Sequence, residues 1–150
     1  MKIALVSCTK LKQNYPCEAQ DMYLPSQLFK KARNYIENNN NYDIWFILSA
    51  KYGLLKPTDI IEPYNITLNT MKKNEIVEWS YKVYNQLCTF ELSQVDFYAG
   101  EKYRKYLIPL LQNKNINIEV PLKGLGIGQQ LKFYKEEVSL HSDIFCNMQC

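Results

Sequence analysis

Two short apolar runs constrain this chain more than any other feature. Ile3-Ala4-Leu5-Val6 and Ile44-Trp45-Phe46-Ile47-Leu48 contain no polar residue. Neither alternates apolar and polar positions as a strand with one wet face does. Such runs suit strands covered on both faces, the situation of a parallel sheet between two layers of helices. The first strand is read over Lys2 to Val6 and the second over Ile44 to Leu48. A third is expected over Val95 to Ala99 and a fourth over Ile116 to Val120.

Segments with helical spacing separate these runs. Leu28, Phe29, Ala32, Tyr35 and Ile36 form one stripe, with Lys30, Lys31, Arg33 and Asn34 opposite. Pro25 or Ser26 starts that helix, since proline fits a first turn and serine caps one. A second helix is expected from about Met71 to Cys88, with Ile76, Val77, Ser80, Val83, Tyr84 and Leu87 inside. A third opens at Gly100 and is kinked or shortened by Pro109. A fourth is expected from about Gln129 to Ser139. Between the second strand and second helix, Lys51 to Asn69 contains Pro57 and Pro63 and shows no sustained period, so it reads as a long loop. Strands alternating with helices predict an α/β domain of three layers: a mainly parallel sheet of about four strands with helices on both faces. The chain reads as one such domain over 1–150, with an irregular tail from about 140.

Composition narrows the function classes. Hydrophobic residues make up 47% of the 150 residues, enough for a core, and no apolar run is long enough to span a bilayer. The net charge of +3 permits anionic ligands without the strongly basic stripe of a dedicated nucleic-acid binder. The five cysteines, Cys8, Cys17, Cys88, Cys146 and Cys150, are odd in number and include no CxxC, and His141 is the lone histidine. Free thiols in a reducing, cytoplasmic compartment fit that pattern, and neither a metal site nor a cofactor is implied.

In open α/β sheets ligands bind at the carboxyl ends of the strands. The candidate ligand-binding residues cluster there. Ser7, Cys8 and Lys10 follow the first strand. Ser49, Lys51, Tyr52 and Gly53 follow the second. Gly100 and Tyr103 follow the third, and Gly126 and Gly128 lie in the glycine-rich segment after the fourth. Lysines suit phosphate or carboxylate, and helix amino termini present N–H groups to anions. Tyr23, Tyr52 and Tyr64 offer faces for a base. Asp59, Glu62 and Glu101 are the candidate catalytic carboxylates. Ser7, Lys10, Ser49 and Lys51 are expected to converge on one pocket. Ordinary structural roles stand beside each reading: a solvated turn for Lys51-Tyr52-Gly53, a buried thiol for Cys8, solvated loop carboxylates for Asp59 and Glu62.

Taken together, Ser7-Cys8-Thr9-Lys10, Met22-Tyr23 with Ser26, Leu28-Phe29 and Lys31-Ala32, and the block from Trp45 to Pro57 resemble a family of small, poorly characterised bacterial and phage domains. Ile61-Glu62-Pro63-Tyr64, Thr67-Leu68 and Ala99-Gly100 with Tyr103 continue the pattern. That family is distantly similar to a domain of archaeosine synthases and peroxide-stress proteins, and to the uracil-DNA-glycosylase type of α/β fold. The resemblance implies a pocket for a nucleobase, nucleoside or nucleotide. Glycosylases of that type place a carboxylate or Asn after the first strand, whereas here no carboxylate occurs before Glu18, which counts against ordinary base excision. The expected function is a nucleoside or nucleotide pocket that cleaves or transfers an N-glycosidic bond. The alternatives are a non-catalytic nucleotide-sequestering protein and a DNA-binding accessory protein. Expected partners are a nucleotide or nucleoside, with nucleic acid or a second copy of the chain as further options and no membrane.

Overall fold

A computed structural model describes residues 1–39 and 41–137. The expected helix end at Ser139, the tail from 140, His141, Cys146 and Cys150 lie outside the described residues. The central sheet has five strands in the order β4-β3-β1-β6-β7. They are β1 (Lys2–Ser7), β3 (Ile44–Ser49), β4 (Gly53–Leu55), β6 (Gln94–Tyr98) and β7 (Asn117–Glu119). β1 lies centrally, parallel to β3 on one side and to β6 on the other, with Ser7 opposite Leu48 and Val6 opposite Tyr98. Its Ile3, Ala4, Leu5 and Val6 are buried, as an apolar run under two helical layers must be.

The α/β reading therefore holds, with helices on both faces. α2 (Gln27–Glu37) packs on β1 and connects it to β3. Ser26 is its N-cap, and the Ser26 hydroxyl accepts the Phe29 N–H at 3.3 Å. A further helix, α6 (127–137), lies beside α2, where Tyr35 meets the rings of Phe133 and Tyr134 at 5.4 and 5.7 Å. α3 (Lys73–Leu87), α4 (Glu101–Arg104) and α5 (Leu107–Gln112) pack against one another. Right-handed crossovers put α2 on one face and α3 and α5 on the other, because β1 leads leftward to β3 whereas β3 leads rightward to β6.

Three local expectations need correction, and a fourth, the interrupted helix around Pro109, is met in a sharper form. The sheet gains a fifth strand, because the segment after β3 is no plain loop. It turns back at once as β4, antiparallel to β3, with Ser49 opposite Gly53. Further on, β5 (Ile60–Ile61) pairs with β2 (Cys17–Glu18), and short α1 (Ala19–Met22) follows β2. The Ala19 and Gln20 N–H groups donate to Asp59 and Pro57 carbonyls at 2.7 and 2.9 Å, so the two long loops clamp each other. Strands of two or three residues leave no period to read. The helix after Gly100 breaks into α4 and α5, with Pro109 in the first turn of the second piece, where its missing N–H costs nothing. Trp79 joins the inner face of α3. α6 begins at residue 127, ahead of the expected Gln129.

Candidate functional site

The carboxyl rim of the sheet differs sharply from strand to strand. At β3 it is closed. The chain makes a tight turn there, and Gly53 has a φ of +76°, the left-handed region that favours glycine. A Cβ on Gly53 would stand 2.6 Å from Gln86 Oε1, the oxygen that accepts the Leu54 N–H at 2.9 Å. Ser49 is wholly buried. Its hydroxyl accepts the Tyr52 N–H at 3.0 Å and meets the Tyr64 hydroxyl at 2.8 Å, which meets the Tyr23 hydroxyl at 2.7 Å. The Trp79 indole N–H donates to the Ser49 carbonyl at 2.8 Å. Burial above all pushes the Tyr23 and Tyr64 phenols well up, so both hold their protons to higher pH than an exposed phenol does. This is a polar pin within the core. The exposed Lys51 ammonium lies 5.2 Å from the Tyr52 ring centroid.

At β1 and β6 the rim is open. The helices that follow these adjacent strands leave to opposite faces, and a crevice forms where they part. A cavity of about 550 Å³ fills it. Ser7, Cys8 and Thr9 line it from the end of β1, and Gly100, Glu101 and Tyr103 from the segment after β6. Three cations also line it: Lys102, Arg104 and Lys123. Arg104 is steadied by donating to the Ala99 carbonyl at 3.0 Å, and Lys102 by donating to that of Asn69 at 3.3 Å. Cys8 Sγ lies 3.4 Å from the Tyr103 hydroxyl, and the Tyr103 ring meets Trp79 edge-on at 5.5 Å. Burial is the main reason the Tyr103 phenol is pushed up, with Cys8 adding to it.

A second cavity, about 850 Å³, adjoins the first through Cys8, Thr9 and Tyr103 and is bounded further out by Lys10 and Lys12. The Lys12 ammonium is half-buried, lies 4.6 Å from the Tyr64 ring centroid and donates to the Lys10 carbonyl at 3.3 Å. Burial lowers its pKa, opposed by the Cys8 thiol nearby. A shallower hollow of about 320 Å³ continues past Lys10 and Lys12 to Tyr64.

The sequence candidates thus divide. Ser7, Cys8, Gly100, Glu101 and Tyr103 share the crevice, and Lys10 and Tyr64 line its extensions. Ser49, Lys51, Tyr52 and Gly53 belong to the closed hairpin, so Ser7, Lys10, Ser49 and Lys51 do not converge. Tyr23 is fully buried. Asp59 accepts the Lys56 N–H at 2.8 Å as turn chemistry, and the Glu62 N–H donates to the Tyr52 hydroxyl at 3.3 Å; neither carboxylate lines these cavities. The Gly126 N–H is taken by the Gln129 side chain at 3.1 Å, and Gly128 lies inside the first turn of α6. Sequence reasoning missed Lys12, Lys102, Arg104 and Lys123. Their signal was position: each stands within five residues of a strand end or its following turn. Arg33, expected on a solvated basic face, donates to the Gln20 carbonyl at 2.9 Å and the Glu37 carboxylate at 3.0 Å, which holds α1 to α2.

The described residues contain no group of three or more His, Cys, Asp or Glu placed to hold a metal ion, and no helix among them is long and apolar enough to cross a membrane. Among known proteins, the chain is 26% identical to the uncharacterized protein YfjM of Bacillus subtilis over 144 residues, covering 87% of this chain and 91% of that one. It is 34% identical to a UPF0246 protein of Shewanella pealeana over 90 residues, 60% of this chain. That match spans only 34% of the Shewanella protein, about a third of its length. No solved structure matches significantly. A family model described as a family of unknown function (DUF6884) matches residues 3–136, and the chain belongs to that family.

Proposed function

We propose that this protein binds a nucleotide in the crevice between β1 and β6. The observation that carries the reading is the crevice itself. It is a cavity of ligand size at the point where the strand order reverses, with Lys102, Arg104 and Lys123 around it. Cations around the mouth favour a phosphate, and the Tyr103 ring suits a base or sugar face. The resemblance read from the sequence, to a family distantly similar to a domain of archaeosine synthases, implies the same ligand class.

Thermal unfolding with a panel of nucleosides and their monophosphates tests this. A ligand at about 100 times its dissociation constant adds roughly 2.7 kcal/mol if it binds only the folded state. For a chain of this size that raises Tm by about 5–10 °C. Lys123→Ala should shrink the nucleotide shift and spare that of the nucleoside. Lys51→Ala should change neither, since Lys51 sits on the closed hairpin. The absence of any shift across the panel would overturn the reading.

Cleavage of the N-glycosidic bond is a second reading, favoured by one placement. Of the three candidate carboxylates, Glu101 lines the crevice and Asp59 and Glu62 do not. Glu101 is exposed at the mouth, where it can accept a proton from an attacking water. The water oxygen joins the anomeric carbon, the C–N bonding pair leaves with the base, and the proton taken by Glu101 ends on the base nitrogen. Chromatography after incubation should detect free base with the native protein and none with Glu101→Gln, whose Tm shift should persist. No free base from any nucleotide would leave binding alone.

A further inference from the structure

Building on the nucleotide reading, we propose that the ligand is longer than one nucleotide: a short single-stranded oligonucleotide lying across both cavities. Three observations converge on this. The first is continuity, because the cavities of about 550 and 850 Å³ share Cys8, Thr9, Leu28, Asn69, Tyr103 and Ile127 as a common wall. Each is large enough for a small ligand by itself, so one mononucleotide leaves the other empty.

The second is charge. Lys102, Arg104 and Lys123 line the first cavity, and Lys10 and Lys12 line the second. Among the described residues lining the two cavities, Glu101 is the one carboxylate. Cations at both ends and a scarcity of acids match a ligand with phosphates at both ends. Lys12 sharpens the point. Its ammonium is half-buried and held in place by the Lys10 carbonyl and the Tyr64 ring. Part of its hydration is lost already, so a phosphate beside it restores a partner to a charge that burial disfavours.

The third is the character of the wall between the charged ends. Leu28, Tyr103 and Ile127 lie there, and Leu131 and Ile66 line the second cavity beyond. Ile66 and Ile127 are 45% and 66% exposed, and Leu11, which also lines the second cavity, is 60% exposed, so the wall presents apolar surface to a ligand. An apolar and aromatic strip flanked by cations is the chemistry that holds single strands: backbone phosphates on the cations, base faces on the strip. A duplex fits it poorly, because the bases stacked within it show no free faces.

Fluorescence anisotropy with labelled oligothymidylates of about two to six nucleotides tests this, with thymidine monophosphate as competitor, at several salt concentrations. Affinity should rise about tenfold or more from mononucleotide to trinucleotide and then level off. The slope of log K against log salt should approach about −0.7 per phosphate held. Lys10→Ala combined with Lys12→Ala should abolish the gain with length, so that the trinucleotide binds no more tightly than the mononucleotide does. Lys123→Ala should weaken mononucleotide and oligonucleotide alike. Mononucleotide binding with no gain from length would overturn this inference and leave the nucleotide site standing. Failure of mononucleotide and oligonucleotide alike would overturn both. A DNA hairpin with a long, stable stem bound as tightly as single strand would overturn the single-strand assignment.

Discussion

Ser49 looked like a ligand group from its sequence context, and the structure makes it a structural pin; Ser49→Ala separates the two roles. The hydroxyl is fully buried and makes two contacts, with the Tyr52 N–H at 3.0 Å and the Tyr64 hydroxyl at 2.8 Å. Alanine deletes both. Tyr64 keeps its bond to Tyr23, whereas the Tyr52 N–H loses the partner that tightens the hairpin. A buried hydrogen bond contributes about 1 kcal/mol net, and an orphaned donor costs about 1–3 kcal/mol. The total is roughly 2–4 kcal/mol, which for a domain of this size lowers Tm by about 4–16 °C. Urea unfolding followed by circular dichroism should show a lower midpoint at an unchanged slope. Tyr64→Phe should be costly for its own reason, since it removes the hydroxyl that meets both Ser49 and the buried Tyr23. The double variant should cost about 1 kcal/mol less than the sum, because the Ser49–Tyr64 bond is counted twice. A loss below about 0.5 kcal/mol for Ser49→Ala, together with a lost nucleotide shift, would refute the structural assignment and return Ser49 to the ligand.

Gly53→Ala should cost about 1–2 kcal/mol from its φ alone, and more as Gln86 is driven from the Leu54 N–H; an unchanged urea midpoint would refute that. Tyr42→Phe should cost about 1.5–3 kcal/mol, because the Tyr42 hydroxyl donates to the buried Asp96 carboxylate at 2.7 Å and meets the Tyr98 hydroxyl at 2.6 Å; a loss under about 0.5 kcal/mol would mean that Gln94, at 2.8 Å, satisfies Asp96 alone. The pH dependence has a definite sign. Burial raises the phenols of Tyr23, Tyr64, Tyr103 and Tyr134, and pushes Tyr98 up to about 12, so the folded state holds these protons more tightly than the unfolded chain. Their contribution to stability is complete below about pH 10, the unfolded phenol value, and is lost as pH rises toward and through the folded values. Tyrosinate absorbance should therefore rise in two steps, exposed phenols first and buried ones together with unfolding; a single step near pH 10 in folded protein would refute it.

The elements legible in the sequence are those with enough length to carry a period. β1 and β3 announce themselves because two helical layers demand apolar residues at every position, and α2 because its stripe starts just after a capping serine. The elements missed are short or are made by partners far away. β4 is three residues long, and β2 and β5 have two each, so their existence depends on pairing across more than forty positions of sequence. Trp79, three residues after Ile76 and four before Val83, shares the inner stripe of α3, and the Ser49 carbonyl thirty residues earlier holds its indole N–H.

The site was half legible for a related reason. A rule that ligands sit at strand ends selects every strand end equally, and in the sequence the block after β3 is the most distinctive. What decides between the ends is strand order, which no local pattern encodes. β3 lies next to the edge and its chain folds back as β4, which consumes the rim in hydrogen bonds of the hairpin. β1 lies in the middle, beside a strand that arrives from the opposite winding direction, and the helices leaving the two strands must part. The opening follows from that divergence. It explains why Ser7, Cys8 and Glu101 keep their place at a cavity while Lys51 and Gly53, in the more conspicuous motif, serve a turn. It also explains why Lys12, Lys102, Arg104 and Lys123 escaped attention: in the sequence each is one lysine or arginine among 18, and only the crevice gives them a common direction.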